Sequence, residues 1–165
     1  MTNALIRLAS PADAAAIAAL SRDTIEAGLP WRWVESRVQG CIADPDHNVI
    51  VAQCLEAADS TRRFAGFGIM QYLDDRAHLS LLAVTPQIQG HGVGRALLAW
   101  LMRCAEVAGA ATVKLELKAD NTRARSFYER AHFREIGLRS GGYYGLADQR
   151  VMERKLRSLE LARPS

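Results

Sequence analysis

The sequence has few cysteines, and their arrangement argues against two kinds of site. Cys41, Cys54 and Cys104 are the three cysteines among 165 residues, and no two of them stand in a C-x-x-C spacing. An odd number of widely spaced cysteines is atypical of both a disulfide framework and a structural zinc site. We therefore expect buried, reduced cysteines, no bound metal ion, and a reducing compartment such as the cytoplasm.

The sequence also lacks long apolar runs and a dense basic patch. No apolar stretch approaches the ~20 residues that a membrane-spanning helix needs, and residues 1–8 do not have the basic-then-apolar order of a signal peptide. The formal net charge is +3, but the arginines are scattered, and the basic cluster in residues 150–157 contains Glu153. We therefore expect neither a membrane nor a nucleic acid as a partner.

The sequence does contain an alternation of strand and helix patterns. We predict strands over residues 4–8, 48–55, 64–73, 78–84, 112–118, 133–138 and 149–156. We predict helices over residues 10–28, 33–43, 94–109 and 121–131. Antiparallel strands come first and a βαβ unit lies in the middle, which is typical of a mixed α/β fold. We expect one domain over residues 1–158 and a C-terminal tail over residues 159–165.

Residues 81–98, LLAVTPQIQGHGVGRALL, form the most informative segment. A predicted strand ends at Val84, and a loop containing Gly90, Gly92 and Gly94 leads directly into a helix. Glycines lack a Cβ atom, so backbone N–H groups can turn toward a ligand, and the start of the helix adds the positive end of its dipole. The segment therefore predicts an anion site suited to a pyrophosphate.

The glycines alone leave two other interpretations open: a flexible glycine-rich turn and a dinucleotide-binding fingerprint. The fingerprint requires G-x-G-x-x-G, whereas the spacing here is G-x-G-x-G with Arg95 where the third glycine belongs. Glu116 lies about twenty residues downstream, as the fingerprint's acidic residue would. However, residues 85–89 separate the strand from the glycines. A P-loop is excluded, because no Gly-Lys-Ser/Thr follows.

A further interpretation rests on two motifs together. Gln89-x-x-Gly92-x-Gly94, continued by residues 95–98, resembles the acetyl-CoA loop of the GCN5-related N-acetyltransferase (GNAT) superfamily. Asn121-x-x-Ala124-x-x-Phe127-Tyr128 is similar to the superfamily's downstream motif and follows at the expected distance. The resemblance covers about residues 5–156, and in its C-terminal half it is nearest to the ribosomal-protein alanine acetyltransferase group.

The resemblance implies a GNAT fold, with a central, mostly antiparallel sheet of six to seven strands, a V-shaped splay between the fourth and fifth strands, and about four flanking helices. It implies that acetyl-CoA is the cofactor. The acetyl group would pass to a primary amine of a small molecule or a protein N-terminus by direct attack in a ternary complex. The implied cofactor-binding residues are Leu82, Ala83, Val84, Gln89, Gly90, His91, Gly92, Val93, Gly94, Arg95, Asn121, Ala124, Phe127 and Tyr128. A non-catalytic acyl-CoA-binding regulatory module is the alternative function, and a monomer or a homodimer is expected.

Tyr128 matches the residue that the superfamily usually employs as general acid. An unperturbed phenol has a pKa of ~10 and a thiol one of ~8.5, so protonating the departing thiolate is uphill by about 2 kcal/mol. The alternative is a core tyrosine on an amphipathic helix. Asn121 begins the same predicted helix, where it can cap the helix, hydrogen-bond to coenzyme A, or do both.

Two residues are candidates for the general base. Glu116 matches the glutamate assigned as base in the ribosomal-protein group, although it could equally be an exposed carboxylate between Lys114 and Lys118. His78 stands on the strand before the loop, where other superfamily members carry a catalytic glutamate. The ordinary pKa of a histidine, ~6.5, suits a base. A surface histidine after a turn is its alternative, and a water molecule could replace either residue.

Four aromatic residues are candidates for the acceptor site. Trp31 and Trp33 flank the break between the first two helices, which borders the acceptor site in the superfamily; core packing is the alternative for Trp33. Tyr143 and Tyr144, after Gly141-Gly142, could form the opposite wall. A free α-amine, with a pKa of ~8, suits a weak base better than a lysine at ~10.4 does.

Overall fold

The computed structural model describes residues 4–55 and 61–156. In chain order, these residues form β1 (Ala4–Leu8), α1 (Ala14–Asp23), α2 (Glu35–Ala43), β2 (His47–Leu55), β3 (Arg62–Tyr72), β4 (Arg76–Val84), α3 (Val93–Val107), β5 (Thr112–Lys118), α4 (Thr122–Arg130), β6 (Arg134–Tyr143) and β7 (Ala147–Lys155). Single 3-10 turns, Pro11–Asp13 and Pro86–Ile88, precede α1 and α3. The predicted mixed α/β class, with about four helices and up to seven strands, is confirmed.

The strands form one sheet in the order β1-β2-β3-β4-β5-β7-β6. The pairs β1–β2, β2–β3, β5–β7 and β6–β7 are antiparallel, and β4–β5 is parallel. The register between β4 and β5 is Arg76↔Thr112, Ala77↔Val113 and His78↔Lys114. The V-shaped splay expected between these two strands stays a prediction.

The chain divides into two compact units, one of Met1–Gln71 and Leu81–Arg103, the other of Tyr72–Ser80 and Cys104–Ser165. β4 therefore contributes its first half to the second unit and its last residues to the first. The single domain expected over residues 1–158 stays a prediction. The tail expected over residues 159–165 lies outside the described residues.

The core of the first unit lies between its helices and its strands. Ala14, Ile17 and Leu20 of α1 are buried together with Val38 of α2. They pack in one cluster with the apolar side chains Val49, Val51, Phe67, Ile69 and Leu81. The three-to-four-residue spacing in α1 explains this packing, because it puts the apolar side chains on one face.

The start of α1 is held by a carboxylate. The backbone N–H of Ser10 donates to Asp13 Oδ2 at 2.7 Å, and the guanidinium of Arg7 donates to both carboxylate oxygens at 2.8 and 2.9 Å. The Arg7 hydrogen bond is the largest cause that lowers the pKa of Asp13. A helix starting near Ser10 was expected, but it begins as a 3-10 turn, and α1 ends at Asp23 rather than at Gly28.

The second unit is built on the strict alternation of β5. Val113, Leu115 and Leu117 are buried, whereas Lys114, Glu116 and Lys118 on the other face are half-buried, which confirms the predicted alternation. Leu115 pairs with the fully buried Met152 of β7. One expectation was wrong here: the sixth strand was expected to end at residue 138, but β6 extends to Tyr143 and so includes Gly141 and Gly142.

Within residues 4–55 and 61–156, no helix is both long and apolar enough to cross a bilayer. The longest described helix, α3, has 15 residues.

Candidate active site

The glycine loop, residues 85–92, connects the end of β4 to the start of α3 in the first unit. Gly90 and Gly92 have φ angles of 85° and 89°. These values lie in the left-handed region that side chains with a Cβ rarely adopt, so both glycines are required by the backbone path. Gly94 is the second residue of α3. The last left-handed residue therefore comes immediately before the helix.

Hydrogen bonds within the glycine loop fix its course. Nε2 of Gln89 donates to the carbonyl of Val84 at 3.1 Å, which ties the loop to the end of β4. The N–H of Ala96 donates to the carbonyl of Gly92 at 3.0 Å and closes the first turn of α3. The backbone N–H groups at the start of a helix have no acceptor inside the helix, and they carry the positive end of its dipole. This arrangement is suited to binding an anion.

Two glycines of β3 lie where an added Cβ atom would meet a close neighbour, in the end of β4 for Gly66 and in α3 for Gly68. A Cβ atom on Gly66 would lie 2.6 Å from the carbonyl oxygen of Ala83, and one on Gly68 would lie 2.6 Å from Cδ1 of Leu101. Neither glycine was among the predicted site residues. Two glycines inside a strand pattern are the signal that could have identified them, since such glycines often mark close backbone approach.

Asn121 caps α4 in the second unit. Its Oδ1 accepts a hydrogen bond from the backbone N–H of Ala124 at 3.1 Å. Asn121 therefore caps the helix, which is one of the two roles expected for it. A hydrogen bond from Asn121 to coenzyme A stays a prediction.

Tyr128 lies on α4 with its ring buried. It is 7% exposed, and its ring contacts Phe127 and Phe133 edge-on, with centroids 5.0 and 5.5 Å away. Burial, and next the charge of a nearby ionised Tyr143, raise the pKa of Tyr128 above its usual value. The phenol therefore stays protonated. The free energy needed to transfer its proton to a thiolate is therefore larger than the about 2 kcal/mol that follows from the unperturbed pKa values.

The two candidate bases lie next to each other in the second unit. Nε2 of His78 is 2.5 Å from Oε2 of Glu116, and the two side chains are 30% and 34% exposed. Nδ1 of the same imidazole is 3.3 Å from Oγ of Ser80. The sequence offered His78 and Glu116 as alternative bases. They are 38 positions apart in the chain, and the parallel register of β4 and β5 brings them together.

The flanking lysines have carboxylate partners of their own. Nζ of Lys114 is 3.8 Å from Glu153, and Nζ of Lys118 is 3.9 Å from Asp120. The alternative for Glu116, a carboxylate between two lysines with no catalytic role, stays a prediction. Glu116 makes its short contact with an imidazole.

The two candidate tryptophans of the first unit differ in exposure. Trp33 is 8% exposed and belongs to the core, with the guanidinium of Arg37 3.8 Å from its ring centroid. Trp31 is 42% exposed, and the guanidinium of Arg22 lies 5.3 Å from its ring centroid. Core packing thus describes Trp33, whereas Trp31 presents its ring to solvent.

A buried carboxylate that sequence reasoning missed holds the segment carrying these tryptophans. Glu26 is 1% exposed, and its Oε1 accepts from the backbone N–H groups of Arg32 and Trp33 at 2.7 and 3.2 Å. Its Oε2 accepts from the hydroxyl of Ser21 at 2.8 Å. A single glutamate in a helix-to-loop segment gives no signal of this role, because glutamates are usually exposed.

Tyr143 and Tyr144 form a pair at the turn between β6 and β7. Their ring centroids are 5.0 Å apart, and both side chains are half-buried. Tyr144 has a φ of 57°, in the left-handed region, where a tyrosine is strained. The turn therefore holds the two phenols in a defined arrangement near the acid candidate of the same unit, Tyr128, whose pKa Tyr143 influences.

Across residues 4–55 and 61–156, no cluster of three or more His, Cys, Asp and Glu side chains is arranged to hold a metal ion. The site chemistry that the described residues offer consists of a phenol, an imidazole–carboxylate pair and a loop of backbone N–H groups.

Comparison with known proteins identifies similar chains. The profile of the acetyltransferase (GNAT) family matches residues 16–133. The ribosomal protein bS18-alanine N-acetyltransferase of Escherichia coli is 41% identical over 88 residues, which are 53% of this chain and 59% of that protein. The match thus spans less than two thirds of that relative's length.

Solved structures extend the likeness along most of the chain. The crystal structure of the ribosomal-protein-S18-alanine N-acetyltransferase from Escherichia coli superposes with a TM-score of 0.75 and 27% identity, over 92% of this chain and 93% of that one. The PaiA N-acetyltransferase of Thermoplasma acidophilum, solved in complex with coenzyme A, superposes with a TM-score of 0.72 and 20% identity, over 93% and 99%. The second likeness shows the fold.

Proposed function

Because the chain belongs to the acetyltransferase (GNAT) family, we propose that it transfers an acetyl group from acetyl-CoA to a primary amine. The family resemblance expected from the two sequence motifs is confirmed by the match over residues 16–133. The observation that carries the proposal is the glycine loop, in which two left-handed glycines end at the first turn of α3.

The glycine loop would bind the pyrophosphate of coenzyme A. Backbone N–H groups between Gln89 and Arg95 donate to the phosphate oxygens, and the helix dipole adds about 0.3–2 kcal/mol. Backbone groups of Leu82, Ala83 and Val84 hold the pantetheine arm. A backbone N–H near Val84 polarises the thioester oxygen, as an oxyanion donor does.

The second unit would supply the groups that move protons. Tyr128 protonates the departing sulfur or donates a hydrogen bond to it, and its raised pKa keeps the phenol in the donor form. The amine gives its proton to the contacting side chains of His78 and Glu116. Positioning of the two substrates contributes to the rate as well.

The acceptor would be a primary amine of a small molecule or of a protein N-terminus. The relatives named for acetylation of an alanine in ribosomal protein bS18 support an α-amine. The lower pKa of an α-amine, ~8 against ~10.4 for lysine, makes deprotonation easier. The three cysteines are free, which fits a reducing compartment such as the cytoplasm, and the enzyme would act as a monomer or a homodimer.

Thermal unfolding with ligands tests the cofactor. At one hundred times its Kd, acetyl-CoA would add about 2.7 kcal/mol to the free energy of unfolding. We expect coenzyme A and acetyl-CoA to raise the Tm by several degrees and NAD to leave it unchanged. Gly92→Val should abolish the increase, because the backbone at φ 89° disfavours a side chain with a Cβ.

The matched control is Gly109→Val. Gly109 has a φ of 81°, and a Cβ added there would meet no atom within 4 Å, as is also true of Gly92, but Gly109 follows α3 rather than preceding it. Both variants should lower the Tm of the unliganded protein, and only Gly109→Val should keep the increase with acetyl-CoA. A strong increase with NAD and none with acetyl-CoA would show that the proposed cofactor is wrong.

A further inference from the structure

We propose that His78 and Glu116 act as one proton-accepting pair, in which His78 takes the proton and Glu116 positions it, rather than as alternative bases. The inference rests on the proposed acetyl transfer and concerns how the amine loses its proton. It is carried by the 2.5 Å contact between Nε2 of His78 and Oε2 of Glu116.

The sheet sets the geometry of the proton-accepting pair. His78 is level with Lys114 in the parallel register of β4 and β5, and Glu116 is two residues further along β5 on the same face. Both side chains are roughly one-third exposed, so a substrate can reach them while the strands limit their movement. Strand positions hold a catalytic pair more closely than loop positions do.

The contacts of the imidazole assign its proton. A carboxylate only accepts hydrogen bonds, so Nε2 of neutral His78 carries the hydrogen and donates it to Glu116. Nδ1 then has a lone pair, which accepts from the hydroxyl of Ser80 at 3.3 Å. Nδ1 is therefore the basic atom of the pair, and Glu116 holds the imidazole in this tautomer.

With the imidazole hydrogen on Nε2, the protons and electron pairs of the reaction balance. The substrate ammonium gives one proton to Oγ of Ser80 while the hydroxyl proton of Ser80 passes to Nδ1, so that the new N–H donates to the re-formed hydroxyl. The amine lone pair forms the N–C bond to the thioester carbon, and the C–S bond breaks with its electron pair on sulfur. Sulfur takes a proton from Tyr128, the phenolate regains one from the new amide nitrogen, and the imidazolium releases its proton to water.

Charge attracts an ammonium substrate to the pair. Glu116 with neutral His78 carries a net charge of −1, which attracts an ammonium, and uptake of the proton creates a charge-assisted imidazolium–carboxylate contact. Lys114 and Lys118 flank Glu116 on β5, but their ammonium groups lie 3.8 and 3.9 Å from Glu153 and Asp120. The two lysines thus have other carboxylate partners, and the short contact of Glu116 is with His78.

A double-mutant cycle tests the pair. The assay measures thiol release from acetyl-CoA with an amine panel: a peptide with a free N-terminal alanine, an N-terminally blocked peptide with a free lysine, and a small diamine. His78→Gln should lower kcat by about 10²–10⁴-fold, and Glu116→Gln by about 10-fold or more. The double variant should be no slower than His78→Gln alone, because residues that act as a unit are not additive.

The controls separate a catalytic effect from a structural one. The KM for acetyl-CoA and the Tm increase with acetyl-CoA should stay within about 2-fold and about 1 °C of wild type in all three variants, since a positioning role changes the chemical step. Lys118→Gln, which removes a neighbouring charge from the same face, should leave kcat unchanged.

Two outcomes would overturn the inference. If the losses of the single variants multiply in the double variant, the two residues act independently, although acetyl transfer stands. If Glu116→Gln alone lowers kcat by the full amount and His78→Gln lowers it little, Glu116 is the base. Wild-type protein that is inactive on the whole amine panel would instead overturn the proposed function.

Discussion

At the scale of single residues, Tyr128 has an environment that fits a proton donor and a core residue equally well. Its ring is packed edge-on against Phe127 and Phe133, and burial raises the pKa of its phenol. The ring therefore contributes to packing whatever the hydroxyl does. Only a change that removes the hydroxyl and keeps the ring can separate the two roles.

Tyr128→Phe should lower kcat by about 10²-fold or more, the loss expected when a positioned acid is removed. The KM for acetyl-CoA should hold within a few-fold, because the ring contacts remain. Steady-state kinetics under conditions where chemistry limits the rate would measure both. Tyr72→Phe is the matched control, since burial also raises the pKa of that phenol but the proposed mechanism does not involve it.

A wild-type kcat in Tyr128→Phe would remove this residue from the mechanism. The core-tyrosine interpretation predicts that result, together with a modest change in the free energy of unfolding.

At the scale of secondary structure elements, the position of the end of β4 depends on Gly66 in β3. Gly66 brings the β3 backbone against the carbonyl of Ala83 and the Cα of Val84. Thr85, the first residue after β4, donates its N–H to the carbonyl of Ala65 at 2.8 Å. The residues proposed to hold the pantetheine arm are therefore placed by close backbone contact.

Gly66→Ala should destabilise the protein by about 1–3 kcal/mol, the usual cost of overpacking a tight site. The added Cβ would lie 2.6 Å from a backbone oxygen, which cannot move aside as the end of a flexible side chain can. Because β4 must shift, the Kd for acetyl-CoA should rise as well. Urea denaturation and isothermal titration measure the two effects.

Gly40→Ala provides the comparison, since a Cβ on Gly40 would have no atom within 4 Å and Gly40 lies in α2. It should leave the Kd unchanged and the free energy of unfolding equal or higher, because alanine is the better helix former. If the two variants had the same Kd for acetyl-CoA and the same free energy of unfolding, the role assigned to Gly66 would be refuted.

At the scale of the whole molecule, the sequence predicts well those structural features that arise from local, periodic patterns. The alternation over residues 112–118 and the apolar spacing of α1 and α3 identify these elements, because burial follows the period of each structure. The two motifs identify the family. The end of α1 was predicted wrongly. The length of β6 was also predicted wrongly, because its pairing with β7 continues to Tyr143↔Ala147.

The contacts at the candidate site depend on tertiary structure and were not predictable in the same way. His78 and Glu116 meet through the register of two strands that are separated by α3. Glu26 is buried because two backbone N–H groups and a hydroxyl satisfy it. Neither set of contacts corresponds to a recognisable pattern in the local sequence.

The glycine loop belongs to one compact unit and the candidate proton-moving residues to the other, so the proposed acetyl transfer is tested on the whole chain. The most direct measurement is mass spectrometry of the amine panel after incubation with the whole chain and acetyl-CoA, with thiol release followed in parallel. We predict an N-acetylated product, formed in a one-to-one ratio with free coenzyme A and most rapidly on the α-amine of the alanine peptide. Binding of acetyl-CoA with no acetylated product from any amine would contradict acetyl transfer and would favour a non-catalytic acyl-CoA-binding module.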